Sequence, residues 1–291
     1  MNDLPVDNLQ SVGLTELNRE AELLTRRDRK YLVPMALARS LVENSSNMQV
    51  LKIGGRHSFR YESVYFDTPD LVSYLAAAHK RRRRFKVRTR SYLDSGSCSL
   101  EVKTRERRGL TEKHRLPYEL EGRSTLSSEA LEFIDGFERI APVSRQLEPV
   151  LTTRYERTTL LEPHSKSRIT IDTNLEVEAA DGSKLTLPGM AVVETKTAGR
   201  PCAVDHFLWS RHQRPAKISK YCTGLAALTP GLPANKWNRV LRTYFGWTPR
   251  AIKPAAGGRE PSASDPSEEG PAAGSTPTMS QLQDVPISYA S

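Results

Sequence analysis

Cysteine is scarce in this chain: Cys98, Cys202 and Cys222 are all it has, with no CxxC pair and no Cys/His cluster among 291 residues. Neither a disulfide framework nor a structural zinc site is expected on that ground. No run of 18 consecutive apolar residues occurs either, so no helical span of a bilayer is expected. The opening stretch MNDLPVDNLQ has neither a basic start nor an apolar run. No secretory signal is therefore expected, and the chain reads as soluble and cytoplasmic. The histidines (His57, His79, His114, His164, His206, His212) are scattered, and no Ser–His–Asp set is evident. Helical periodicity is also thin. It is confined to PMALARSLVEN (34–44), SSEALEFIDGFERI (127–140), CAVDHFLWSRH (202–212) and SKYCTGLAAL (219–228), with Pro34 in a first turn and Ser127 or Ser128 as an N-cap.

What the chain has in quantity is positive charge. Lys and Arg number 43 against 34 Asp and Glu, a formal charge of +9. Residues 251–291 hold two basic and five acidic residues, which leaves residues 1–250 at +12. Such a body favours anionic partners: nucleic acid, acidic membrane or phosphate compounds. From Pro254 to Ser280, 19 of 27 residues are Ala, Gly, Pro or Ser, too little apolar surface to offset chain entropy. The expected organisation is an N-terminal extension (1–23, fraying over 1–10), one body (24–250) and a disordered tail (251–291).

Within the body, period-two alternation dominates: FRYESVYFDT, FKVRTRSY, SLEVKTR, EKHRLPYEL, VLTTRYERTTL, SRITIDTNLEVEA and MAVVETKTA. The expected fold class is α+β: an antiparallel β-barrel, closed, with a few peripheral helices. Successive strand residues point to opposite faces. Lys86, Arg88 and Arg90 therefore share a face, as do Arg26, Asp28 and Lys30; Glu101 and Lys103; Lys113 and Arg115; Arg168, Thr170 and Asp172; and Glu194 and Lys196. One such face is an ordinary wet face. Six of them, with apolar residues opposite, suggest a basic tunnel that a polyanion would neutralise, since like charges across strands repel. The carboxylates Glu101, Glu194, Asp28 and Asp172 offer hard oxygen ligands for Mn2+ or Mg2+, or serve as salt-bridge partners that hold the cations in place. In KRRRRFKVRTRSY (80–92), Lys86, Arg88 and Arg90 read as tunnel wall, and Lys80 to Arg84 as its charged approach. No helix-turn-helix, zinc finger or RNP-like strand points to a dedicated nucleic-acid reader.

These stretches, taken in order, resemble the catalytic domain of the vacuolar transporter chaperone (VTC) proteins, polyphosphate polymerases of the triphosphate tunnel metalloenzyme (CYTH-like) superfamily. Lys30-Tyr31 is similar to the opening KY strand of that family, SVYFDT (63–68) to its S-x-YFD, and Arg88-x-Arg90-x-Tyr92 to its R-x-R-x-Y. LEVKT (100–104), Lys113-x-Arg115, YERT (155–158), RITIDT (168–173), VVETK (192–196) and KISKY (217–221) match the segments that follow. Two features differ: the first strand reads Arg26-x-Asp28-x-Lys30 rather than E-x-E-x-K, and the SPX domain and membrane helices of fungal members have no counterpart in this sequence. The resemblance implies a metal held by Glu194, with Glu101 a second candidate, and transfer of the γ-phosphate of ATP to a polyphosphate chain. It implies catalytic roles for Lys30, Arg88, Arg90, Lys103, Lys113, Arg115, Arg157, Arg168 and Lys196. Phosphate contacts would come from Lys217 and Lys220, which Lys86 joins from its strand face. The expected partners are ATP or another triphosphate, polyphosphate or pyrophosphate, and a membrane partner protein if product is carried away; no specific nucleic acid is expected. A triphosphatase on the same fold, or a protein that only binds polyphosphate, would keep the same residues.

Overall fold

The computed structural model describes residues 4–20, 27–105 and 111–248, all within one compact unit, Met1–Arg250. Arg26 and the tail 251–291 lie outside the described residues. Eleven strands are present among the described residues: β1 (Gln10–Val12), β2 (Arg27–Pro34), β3 (Gln49–Leu51), β4 (Ser58–Asp67), β5 (Arg84–Tyr92), β6 (Ser97–Arg105), β7 (Thr111–Tyr118), β8 (Glu148–Glu162), β9 (Ser167–Ala179), β10 (Lys184–Thr186) and β11 (Met190–Thr197). The helices are α1 (Leu14–Glu20), α2 (Met35–Glu43), α3 (Val72–Ala78), α4 (Ser128–Asp135), α5 (Ala203–Ser210), α6 (Lys220–Leu228) and α7 (Asn238–Tyr244). All four periodic segments of the sequence form helices, α2, α4, α5 and α6. The other three have seven residues each, too short for a 3.6-residue pattern to register.

The main sheet runs β2-β11-β9-β8-β4-β5-β6-β7, with every neighbouring pair antiparallel. The expected closed barrel is corrected here: β2 and β7 end the path, and no ladder joins them among the described residues. Both ends are built as edges. β7 is largely exposed, carries Glu112, Lys113 and Arg115, and contains Pro117, which has no N–H to give. Arg27 and Asp28 begin β2 exposed.

The sheet is nevertheless strongly curved. Ser219 and Lys220, adjacent in sequence, reach Lys86 on β5 and Asp172 on β9. Those strands are three apart in the sheet, about 14 Å if it were flat. Lys103 on β6 likewise feels the charges of Asp28 and Lys30 on β2, the opposite end of the path.

The convex face is apolar and covered by helices. Tyr31, Val33, Ile169, Ile171 and Val193 pack against α2 and α5 through Leu41, Val42, Val204 and Leu208. Val64, Phe66, Val87, Leu100 and Val102 pack against Ala130 and Ile134 of α4. At one end of the concave face α6 lies on Leu151, Leu175 and Val177. Gly224 permits that approach, since a Cβ there would come 2.7 Å from Val177 Cγ1. Asp67, at the end of β4, accepts hydrogen bonds from the backbone N–H groups of Ser73 and Tyr74 and from the Tyr221 hydroxyl, tying α3 to α6.

The fraying expected over residues 1–10 does not extend to 4–10. Leu4, Val6 and Leu9 are buried in the core, and β1 pairs in parallel with β3. Three apolar residues spaced through that stretch outweigh the usual looseness of a terminus.

Candidate active site: a basic lumen

Register carries the sequence alternation into space. Directly opposed residues share a face, and the ladders line up Lys30 with Glu194, Asp172 with Arg157, Tyr65 with Arg88, Arg88 with Glu101, and Glu101 with Arg115. The shared face is the concave one, so the strands bring their charges into a common lumen.

Glu101 is the hub on one side. It is 2 % exposed and takes Arg88 Nε at 2.8 Å, Arg115 Nε at 3.1 Å, Arg90 at 3.9 Å and a contact from Lys113. Burial alone would raise its pKa, but Arg88, Arg90 and Lys113 hold it well below the usual carboxylate range. Asp172 is the hub opposite, 1 % exposed, with Arg157 Nε at 2.6 Å, Arg157 Nη2 at 2.9 Å and a hydrogen bond from Lys220. Its pKa is also depressed against the effect of burial, by Arg157 and Lys220. Glu194 sits between Lys30 and Lys196.

Two lumen lysines make no ion pair among the described residues. Among the described residues Lys103 makes no ion pair or hydrogen bond, and Lys86 contacts only the Ser219 hydroxyl, at 3.1 Å, and aromatic rings. Arg90 Nε is buried without an acceptor. Desolvation and neighbouring cations lower two lysines far below their ordinary 10.5. Lys113 falls to about 7, through burial with Arg90 and Arg88 nearby, and Lys196 to about 8, through burial with Arg157 and Lys30 nearby.

Not every residue expected in the lumen is equally engaged there. Arg168 shares the concave face, but its guanidinium reaches α1, donating to the Leu17 carbonyl at 3.3 Å and to Asn18 at 2.9 Å. Lys217 is exposed in the segment before α6.

What the sequence reading missed is aromatic. Tyr61 stacks on Tyr155 at 5.3 Å and Tyr65 on Tyr221 at 5.1 Å. Arg157 lies 5.2 Å from both Tyr61 and Tyr155, Arg90 5.9 Å from Tyr61, and Lys220 4.3 Å from Tyr155. The Tyr65 hydroxyl accepts from Arg88 at 3.1 Å, and four nearby cations bring its pKa to about 8 although burial opposes that. Such rings hold cations by their π faces without neutralising them. The signal was present in FRYESVYFDT, where Tyr61, Ser63 and Tyr65 fall on one face.

A divalent metal fits part of this donor set. Among the described residues no three His, Cys, Asp or Glu side chains gather as a metal cage. Glu101 has its oxygens taken by four cations, which leaves it less suited than Glu194 to ligate an ion. Glu194, with lysines as its ion-pair partners, suits a Mg2+- or Mn2+-like ion that brings most of its ligands as phosphate oxygens.

The curved, open antiparallel sheet and its cationic concave face define a β protein with a basic lumen. The VTC domain family model matches residues 25–229, most of the chain, and the protein belongs to that family. No curated protein matches the sequence. Among solved structures, the chain is similar to a Hippeastrum protein described as a candidate adenylyl cyclase with a dominant triphosphatase activity. The two share 17% identity, with 70% of this chain and 97% of that one covered at a TM-score of 0.47. A candidate adenylate cyclase from Bacillus halodurans matches with 13% identity, 79% and 95% coverage and a TM-score of 0.40. One from Vibrio parahaemolyticus matches with 13% identity, 65% and 83% coverage and a TM-score of 0.36. No helix among the described residues is long and apolar enough to cross a membrane.

Proposed function

We propose that the lumen binds the phosphate chain of ATP and transfers its γ-phosphoryl group to the end of a polyphosphate chain. The observation that carries this reading is the excess of lumen cations over lumen carboxylates, with Lys86 and Lys103 facing one another and making no ion pair among the described residues. A linear phosphate chain supplies the missing charge along its whole length, and arginines engage its oxygens in pairs.

Phosphoryl transfer needs alignment and charge neutralisation more than covalent chemistry. Arg88, Arg90, Lys103, Lys113 and Arg115 form one wall; Lys30, Arg157, Lys196 and Lys220 form the other. Between them they would hold donor and acceptor phosphates in line. Arg168 and Lys217 take outlying positions along the same path. An oxygen of the acceptor's terminal phosphate, already anionic at neutral pH, attacks the γ-phosphorus. The bond from that phosphorus to the β-bridging oxygen breaks, and ADP leaves with the electron pair. Glu101 and Asp172 position the arginines rather than meet substrate. Glu194 would hold a divalent ion, which supplies charge neutralisation at phosphoryl oxygens when bound.

The test is to incubate the purified protein with ATP, Mn2+ or Mg2+ and a pyrophosphate primer, resolving chains by gel and assaying free phosphate. A ladder of lengthening chains is the expected result. Free phosphate without a ladder would replace transfer to a chain by transfer to water, and the absence of both products would overturn the enzymatic reading.

A further inference from the structure

The basic run that begins at Lys80 does not end at the lumen. On the concave face of β5 and β6 the opposed pairs step outward from Arg88–Glu101 to Lys86–Lys103 and then to Arg84–Arg105. Each step of two residues is about 7 Å. The first pair is neutral, and the next two are like-charged, an arrangement that opposes folding unless an anion lies across it. Beside this ladder, Lys236 is anchored by donating to the Ala77 carbonyl of α3 at 3.2 Å. Arg84, Lys86 and Lys217 all repel its charge, and Arg105 repels that of Arg84. Arg84 itself donates to the Arg81 carbonyl at 2.9 Å. Among the described residues none of Arg84, Arg105, Lys217 or Lys236 has a carboxylate partner. Lys236 also falls outside the span matched by the family model.

We infer that Arg84, Arg105, Lys217 and Lys236 form a second anion-binding surface continuous with the lumen, which holds the part of a polyphosphate chain that extends beyond it. The inference rests on the function proposed above. A bare phosphate chain is favoured over nucleic acid because the neighbouring rings Trp237 and Tyr74 are 2 % and 0 % exposed, so neither offers a face for bases to stack on. The surface makes the protein a discriminator of chain length. A short phosphate fills the lumen alone, whereas a long chain engages both regions.

The test compares tripolyphosphate with long-chain polyphosphate, each titrated calorimetrically into wild type and an R105A/K236A double variant. In wild type the long chain should bind more tightly at equal concentration of chains. The double variant should weaken long-chain binding by about tenfold or more, and flatten its salt dependence by roughly one log unit of slope per cation removed. Its tripolyphosphate affinity should not change. Equal long-chain affinity in variant and wild type would overturn this surface while leaving the lumen reading intact. Failure of wild type to bind tripolyphosphate at all would overturn the lumen reading and this inference with it. Single-stranded RNA that binds as tightly as long-chain polyphosphate and is equally weakened by R105A/K236A would overturn the assignment to a bare phosphate chain.

Discussion

Arg88 and Glu101 stand opposite one another on β5 and β6, 2.8 Å apart, and the same carboxylate also takes Arg90, Lys113 and Arg115. One buried anion therefore organises four cations. Glu101→Gln should destabilise the protein by about 3–5 kcal/mol, because the cations it leaves behind are buried or crowded without compensation. Tripolyphosphate should restore much of the loss, since a ligand bound only by the folded state raises its stability. Thermal melts with and without tripolyphosphate check both statements. A variant that melts like wild type in both conditions would show that Glu101 does not organise these side chains.

Lys103 is the contrasting case, a lumen cation that makes no ion pair or hydrogen bond among the described residues and has Lys86 and Lys113 directly across from it on the two neighbouring strands. Lys103→Met should leave the melting temperature unchanged or raise it, as like-charge repulsion is relieved. Activity should fall about ten- to a hundredfold through loss of one charge-assisted contact. Paired melts and initial rates decide. Full activity would remove Lys103 from the site.

The depressed lysines give stability and binding opposite dependences on pH. Lys113 titrates at about 7 and Lys196 at about 8 in the folded protein, against an ordinary 10.5. Across that window the unfolded chain retains protons that the folded chain has lost, so the free protein gains stability as pH rises. Binding of a phosphate chain runs the other way, because it favours the charged lysines. At pH 8 tripolyphosphate should bind with net proton uptake, measurable by calorimetry in two buffers of different ionisation enthalpy. Binding without proton uptake would show that these lysines are not recharged by the ligand.

Tyr61 has no carboxylate partner among the described residues, yet its ring contacts Arg90, Arg157 and Tyr155. Tyr61→Leu should raise KM for ATP about three- to thirtyfold with a smaller change in kcat, as the two guanidiniums lose the surface that holds them. Tyr61→Phe keeps the ring and should behave as wild type. If Phe and Leu gave the same loss, the hydroxyl rather than the π face would be responsible.

Metal dependence is expected to follow Glu194. Glu194→Gln should shift the Mn2+ or Mg2+ titration of activity to higher concentration, while Glu101→Gln should leave the titration midpoint in place. An unshifted midpoint in Glu194→Gln would exclude it as the ligand.

The sequence by itself determined which residues share a face along each unbroken strand. A period of two fixes this for Lys86, Arg88 and Arg90, or Glu194 and Lys196, once the strand forms, while the irregular β8–β9 pairing turns Leu175 and Val177 to the same face as Asp172. It also determined the four longer helices, whose apolar faces repeat often enough to be read, and the order of motifs that marks the VTC family. Tertiary structure decided the rest. Which cations surround a carboxylate depends on what lies across the ladder, and strand register placed four cations around Glu101 but two lysines, with Arg157 nearby, around Glu194. Curvature set Lys103 against β2 and left β2 and β7 as edges, because edge character and sheet twist arise from several strands together. The cation-bearing tyrosines and the Arg84, Arg105 and Lys236 surface come from segments far apart in the chain, and no local pattern records which of them will meet.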